Sequence, residues 1–159
     1  MSDSTAPTGI DVLALLNECL TAELTAINQY FLHGRMLANW GFKSLAAQVR
    51  AESIDEMKHA DQLIDRILYL DGLPNLQRLW SLRIGESPRE TMVCDLALEE
   101  DAIPRLNAGI EVCRRAGDNG SRLLLESILA AEEEHRDWLL TQLAAIERLG
   151  ETAYFAQKL

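Results

Sequence analysis

Apolar residues recur along most of the chain at intervals of three and four, which is the spacing of one face of an α-helix. The first run is typical and consists of Leu13, Leu16, Leu20, Leu24, Ile27 and Phe31. Similar runs follow, separated by segments that contain Gly, Asn, Asp and Pro. The pattern predicts a single all-α domain over residues 1–159, with helices at about 9–37, 43–70, 88–115 and 120–149 and a short one at 151–157.

Residues that favour helix ends mark the starts of two of these segments. Thr8 is suited to cap the first helix, and Asp11 follows three residues later. The third helix has the clearest start, because Ser87 precedes Pro88 and Glu90 stands three residues after Ser87. These signals fix where the two helical hairpins begin.

Three further local features are predicted in the second half of the chain. Pro104 is expected to bend the third helix, because proline removes one backbone hydrogen bond. The Gly-Asp-Asn-Gly segment at 117–120 is predicted to be the turn before the fourth helix. Tyr154 and Phe155 are expected on the apolar side of the short C-terminal helix.

The lengths of the connections predict how the helices are arranged. Short links join the first helix to the second and the third to the fourth, so each pair forms an antiparallel hairpin. The link between the second and third helices is about fifteen residues, long enough to cross the whole length of a bundle. Two hairpins joined by a long crossover make the ferritin-like four-helix bundle, here followed by a short C-terminal helix.

Two copies of one pattern of acidic residues and histidine occur in the chain. Each copy has a Glu, a second Glu 33 residues later, and a His three residues after that. Residues three apart lie on one face of a helix, so the second Glu and the His point to the same place. The copies are offset by 76 residues and comprise Glu23, Glu56 and His59, then Glu99, Glu132 and His135.

This pattern predicts a dinuclear metal site inside the bundle. Four carboxylates that converge in an interior repel one another and lose hydration, which costs several kcal/mol per ion. Two divalent ions cancel their charge, and carboxylate with imidazole but no thiolate favours iron or manganese. By the internal symmetry, Glu56 and Glu132 are assigned as bridging ligands. Six protein ligands leave positions where dioxygen or peroxide can bind, so redox chemistry is expected.

Two aromatic residues are placed near this predicted site. Tyr30 lies two turns after Glu23 and is either a core residue or a partner that hydrogen-bonds a ligand or supplies an electron. Trp138 lies three residues after His135 and has the same two interpretations, with core packing favoured.

Composition and charge exclude several classes of function. The net charge of −10 argues against a nucleic-acid partner and suits a protein that attracts cations. No apolar run approaches the length of about 20 residues that spans a bilayer, so no membrane association is expected. The first residues lack a basic region followed by an apolar one, which predicts a cytoplasmic location. The three cysteines form no C-x-x-C pair.

Several segments of the chain resemble bacterioferritins. They are residues 23–33 (ELTAINQYFLH), 52–61 (ESIDEMKHAD), 72–76 (GLPNL) and 95–99 (DLALE). The resemblance runs from about residue 10 to the C-terminus. It implies a hollow homo-oligomeric shell of twenty-four subunits that oxidises Fe(II) with dioxygen or peroxide and stores a ferric mineral. All six ligands of that family's ferroxidase centre fall on the residues of the two copies above.

The resemblance also implies haem b, bound between twofold-related subunits by one methionine from each. Met57 occupies that position. Helix geometry alone allows this role but does not require it, because Met57 lies about 100° around the helix from Glu56 and off the metal-facing side. The family further suggests a small ferredoxin as the reductant that releases iron.

Some features separate this chain from parts of the family. Some bacterioferritins have an inner-surface iron site that uses a His where this chain has Ala51, although Asp55 is retained. Some shells mix two subunit types, and this chain has the residues of both. The alternatives are another ferritin-like dimetal enzyme, such as a manganese catalase or a rubrerythrin-type peroxidase, and a haem-carrying subunit of a mixed shell.

Overall fold

The computed structural model describes residues 9–159, with side chains from Val12 onward, and in this part of the chain it contains helices and no strand. The all-α prediction is therefore confirmed. The helices are α1 (Gly9–Asn39), α2 (Lys43–Tyr69), α3 (Pro88–Arg115), α4 (Asn119–Leu149) and α5 (Glu151–Ala156). α1 packs along α2 and α3 along α4, so the two predicted hairpins form one four-helix bundle.

The predicted start of the third helix is confirmed in detail. Ser87 is extended, and its hydroxyl accepts a hydrogen bond of 3.2 Å from the backbone N–H of Glu90. Pro88 occupies the first turn, where its missing N–H needs no partner. α3 continues without interruption through Pro104. The predicted cap of α1, Thr8, lies outside the described residues.

The fourth helix begins at Asn119, one residue before the predicted start at about residue 120. Asn119 is already helical, so the turn ends at Asp118 rather than extending through residue 120. Asp118 Oδ1 accepts a hydrogen bond of 3.0 Å from the N–H of Ser121, which makes Asp118 the helix cap. Arg66 of α2 also donates to Asp118 Oδ1 at 2.6 Å. The cap and the ion pair together allow helical conformation at Asn119 and join the end of α2 to the start of α4.

The apolar core consists of two clusters, one toward each end of the bundle. The first includes Leu16, Leu20, Leu63, Ile67, Leu125 and Ile128. The second includes Tyr30, Leu37, Val49, Leu139, Ile146 and the α5 residues Tyr154 and Phe155. In each of the four long helices, the glutamate of the predicted site lies between residues of the two clusters. The fold therefore places the acidic residues at mid-height, enclosed by apolar layers.

The crossover, residues 70–87, is held against α1 by a line of polar side chains. Because it has neither helix nor strand, its N–H groups have no regular backbone partners and need other acceptors. Four side chains of α1 accept hydrogen bonds of 2.8 to 3.0 Å from these groups, and they are Asn17, Thr25, Gln29 and His33. The donors, in the same order, are the backbone N–H groups of Asn75, Trp80, Arg83 and Gly85. We call these four side chains the α1 ladder.

The last member of the ladder also connects α1 to α3. Since His33 Nε2 accepts from Gly85, its Nδ1 carries the proton and donates to Asp95 at 2.7 Å. Gln29 donates to the same carboxylate oxygen at 2.9 Å. These side chains are fully buried, so the network fixes α1, the crossover and α3 relative to one another.

Replacing Asp118 with alanine tests the junction between α2 and α4. Asp118→Ala removes the cap and the partner of Arg66, and we expect the free energy of unfolding to fall by about 1–2 kcal/mol. Chemical denaturation followed by circular dichroism measures the change. Asp118→Asn is the matched control, because asparagine caps a helix as well but cannot pair with Arg66. An Asp118→Ala protein as stable as the wild type would contradict this role.

Candidate metal centre

The structure brings all six predicted residues of the two copies together at mid-height of the bundle. Each long helix contributes one glutamate, and α2 and α4 each add a histidine one turn later. Five of the six are at most 6% exposed, and His59 is partly exposed. Carboxylates this deeply buried are rare unless they are paired or bind a metal.

His59 lies at the centre of one half of the cluster. Its Nδ1 atom is 3.1 Å from Glu56 Oε2, 3.4 Å from Glu132 Oε1 and 3.8 Å from Glu23 Oε2. One ligand atom from each of these four residues lies within 4.8 Å of every other. This spacing lets the four groups reach one cation with small changes of rotamer.

His135 lies at the centre of the other half. Its Nδ1 atom is 2.9 Å from Glu99 Oε1 and 3.7 Å from Glu52 Oε2. Glu56 belongs to this half as well, because its carboxylate lies within 4.8 Å of ligand atoms of Glu52 and His135. Glu56 is thus positioned between the two halves.

Glu52 is a residue of the site that the sequence analysis did not single out. It stands one turn before Glu56 on α2, and its side chain is 16% exposed. The signal was present, since residues i and i+4 share a helix face. It was missed because Glu52 has no counterpart in the second copy, where Ile128 occupies the matching position.

Burial dominates the electrostatics of the carboxylates. It raises the pKa of Glu56 and of Glu132 well above the usual range, and the neighbouring carboxylates raise both further. The pKa of Glu23 is also raised, mainly by burial. Burial would also raise the pKa of Glu99, but the neighbouring Glu132 and His135 lower it overall. Without cations, the cluster is therefore held together by protons.

Burial has the opposite effect on the pKa of the two histidines, which it lowers. Burial lowers the pKa of His59, but hydrogen bonds with Glu132, Glu23 and Glu56 outweigh it and raise the pKa to about 12. The pKa of His135 is also raised, against burial, by Glu99. Both imidazoles thus supply positive charge that a bound cation would replace.

One carboxylate oxygen of the cluster lacks a hydrogen-bond partner, so shared protons alone do not satisfy all the oxygens of the site. Glu99 Oε2 is buried and has no hydrogen-bond partner, while Glu99 Oε1 accepts from His135 and from the hydroxyl of Tyr30. An unsatisfied carboxylate oxygen costs free energy in the interior. A cation at this point would satisfy it, so the donor set fits two divalent ions held by oxygen and nitrogen.

The chain matches the ferritin-like domain model over residues 13–149. It is 60% identical over 147 residues to the bacterioferritin BfrA of Mycobacterium tuberculosis, with 92% of each chain covered. It is 54% identical to the bacterioferritin of Streptomyces coelicolor, which covers 92% of this chain and 87% of that one. The chain belongs to the bacterioferritin family.

The fold comparison agrees with this assignment. The crystal structure of BfrA from M. tuberculosis superposes with a TM-score of 0.94 at 58% identity, covering 96% of this chain and 94% of that one. The predicted ferritin-like bundle and the predicted resemblance to bacterioferritins are both confirmed. The bacterioferritins are iron-storage proteins, so iron storage is supported at the level of the family.

The other predicted residues lie around the cluster or away from it. Tyr30 is fully buried, and its ring meets that of His135 edge to face at 5.3 Å. Trp138 lies near the ring of His135 on its other side, with centroids 6.3 Å apart, and packs on the second apolar cluster. Met57 is 55% exposed on α2, away from the ligands.

No helix within residues 9–159 is long and apolar enough to cross a membrane.

Neutralising Glu56 tests the electrostatic account of the metal-free site. The folded-state pKa of Glu56 is raised above 4.5, so its stabilising contribution is complete below pH 4.5. That contribution is lost as the pH rises toward the folded-state value, by up to about 1.4 kcal/mol per pH unit. Glutamine does not ionise. With a chelator present, the Glu56→Gln protein should therefore be more stable than the wild type at pH 8, and the difference in stability should be smaller at pH 5.

Urea unfolding at the two pH values measures the difference, with Glu147→Gln as the control because Glu147 is exposed on α4. Adding Co(II) should reverse the order, since the wild type retains the full ligand set. Equal pH dependence in wild type and Glu56→Gln would show that the buried cluster does not limit stability.

Proposed function

We propose that this chain stores iron by oxidising Fe(II) to Fe(III) at the six-residue centre and depositing ferric mineral inside a shell of twenty-four copies. The observation that carries the proposal is the cluster itself. Four buried glutamates and two histidines from four helices converge, and one buried carboxylate oxygen lacks a partner. Membership in the bacterioferritin family supports the same activity.

The distances support the assignment of roles to the six residues. Glu23 and His59 would hold one iron, and Glu99 and His135 the other. Glu56 would bridge, since it lies within reach of both halves. Glu132 would bridge because its carboxylate lies 3.4 Å from His59 Nδ1 and is also a neighbour of Glu99. Two Fe(II) carry four positive charges, which balance the four glutamates once the shared protons leave.

The proposed reaction uses both irons at once. Two Fe(II) give one electron each to dioxygen, which takes up two protons and leaves as hydrogen peroxide. With hydrogen peroxide as the oxidant, two electrons and two protons yield two waters. Tyr30 would orient Glu99 through its hydrogen bond. Apolar layers above and below the centre limit access of water.

Met57 is proposed to bind haem b together with its symmetry mate. A thioether that bridges two subunits through haem iron must be on the surface of the free chain, and Met57 is 55% exposed. Exposed Ile54 one turn away provides apolar surface for a macrocycle. Such a haem would carry electrons for reductive release of iron, supplied by a small ferredoxin. The proposal includes a cytoplasmic location and either a homo-oligomeric shell or one mixed with a second subunit.

The alternatives predict different iron contents. A manganese catalase or peroxidase of the same fold would retain only the two metals of the centre. A purely haem-carrying subunit would not need the complete ligand set that this chain has. The family supports storage, so the shell with a ferroxidase centre is preferred.

An iron titration tests the proposal directly. We expect a fast oxidation phase that saturates at two Fe(II) per chain, followed by slow growth of a broad ferric absorbance as mineral forms. Glu132→Ala removes a proposed bridge and should slow the fast phase about a hundredfold or more, within the range of losses for a displaced catalytic group. Saturation at two irons without further uptake would instead favour a dimetal enzyme. An unchanged rate in Glu132→Ala would contradict the bridge.

Replacing Met57 separates haem binding from iron oxidation. Leucine has a similar volume to methionine but no sulfur. The Met57→Leu protein should therefore lose the haem absorbance, which in the wild type is expected to correspond to half a haem per chain. The fast phase of Fe(II) oxidation should be unchanged, because the Met57 side chain is exposed and does not line either opening to the centre. Loss of both activities in a folded Met57→Leu protein would argue against separate sites.

A further inference from the structure

Two openings of different size reach the metal centre from opposite sides of the bundle. The wide opening lies between α2 and α4, has a volume of about 530 Å³, and ends on Glu56, His59, Glu132 and His135. The narrow opening lies between α1, α3 and the crossover, has a volume of about 70 Å³, and ends on Glu23, Tyr30, Glu99 and Glu132. Of the six residues, only Glu132 lines both.

The charges at the two mouths differ in sign. Besides four of the six residues, the wide opening is lined by three carboxylates and one lysine, which are Glu52, Asp55, Glu134 and Lys58. The narrow opening carries two arginines and one carboxylate, which are Arg83, Arg105 and Asp101. An acidic mouth concentrates cations, whereas a basic one repels them.

Both basic side chains of the narrow opening contact neighbouring residues. Arg83 pairs with Asp101 at 2.8 Å, and the backbone N–H of Arg83 is bound by Gln29 of the α1 ladder. The guanidinium of Arg105 stacks on the ring of Trp80, 4.6 Å from its centroid. The backbone of Trp80 is in turn held by Thr25. The crossover therefore builds this mouth from residues that α1 positions.

Size separates what each opening can pass. The narrow opening has less than a seventh of the volume of the wide one, about 70 against about 530 Å³. Fe(II) with a shell of six waters is much larger than dioxygen, so the wide opening suits the hydrated cation better. Dioxygen and hydrogen peroxide are uncharged and small enough for the narrow one.

We propose that the two openings have separate tasks: iron reaches the centre between α2 and α4, and the oxidant reaches it between α1 and α3. This division of routes rests on the proposed ferroxidase function. Dioxygen passing Trp80 and Arg105 meets Glu23 and Glu99, accepts two electrons from two Fe(II) and two protons, and leaves as hydrogen peroxide. The oxidant thus does not compete with incoming iron for one passage.

A matched pair of alanines allows each opening to be narrowed separately. Ala102 of α3 lines the narrow opening and Ala131 of α4 lines the wide one, and both are partly buried. Leucine adds three carbons at either position, and it is a good helix former. Neither alanine is a proposed ligand, so the ligand set is unchanged in both variants.

The measurement separates iron binding from oxidation. Anaerobic Co(II) binding, followed by its visible absorbance, reports access of cations. Stopped-flow mixing of anaerobically loaded Fe(II) protein with oxygenated buffer reports access of the oxidant. Ala102→Leu should slow the oxidation about tenfold, the effect of about 1.4 kcal/mol of added barrier, with Co(II) binding unchanged. Ala131→Leu should slow Co(II) binding by a similar factor, with oxidation of preloaded iron unchanged.

The outcomes distinguish this inference from the proposed function. If the Ala102→Leu protein oxidises preloaded iron at the wild-type rate, the assignment of the narrow opening to the oxidant is overturned. If Ala102→Leu does not fold, Ala22→Leu narrows the same opening from α1 and decides the question in the same way. A wild-type protein that binds no pair of Co(II) ions per chain would overturn the ferroxidase proposal itself, and the separate routes with it.

Discussion

The structure depends on holding four carboxylates together in the interior of the bundle, where they are largely removed from water. Mutual repulsion and lost hydration both oppose this arrangement, and protons shared between Glu56, Glu132 and their neighbours offset them only in part. The apolar clusters on either side, together with the long continuous helices, prevent the side chains from moving apart. The bundle thus keeps a destabilising cluster in the geometry that cations need, as is common at functional sites.

The sequence predicts those parts of the molecule that follow from periodicity and repetition. Helical spacing of apolar residues and the signals at Ser87 and Pro88 locate the helices, because each depends on contacts within a few residues. The repeated spacing of Glu and His locates the centre for a different reason. Two copies of one hairpin must meet about an axis, so equivalent residues such as Glu56 and Glu132 converge.

Features that depend on contacts between distant segments escape this reasoning. Arg66 binds the cap of α4 although it lies 52 residues before its partner Asp118. Glu52 enters the site through His135 of another helix and has no repeat to reveal it. The α1 ladder has helical spacing, but its polar residues look like an ordinary solvated face until the crossover is seen to cover them.

The bonds of the α1 ladder have a consequence for how this chain can change in evolution. Every bond runs from a side chain of α1 to a backbone N–H of the crossover, so the side chains of the crossover take no part in it. Proline is excluded at these positions, because it has no N–H to donate. Gly85 is constrained as well, because a Cβ there would clash with the backbone N of Thr91. At the other positions the ladder constrains the side chains of α1 and leaves those of the crossover to be determined by their own contacts.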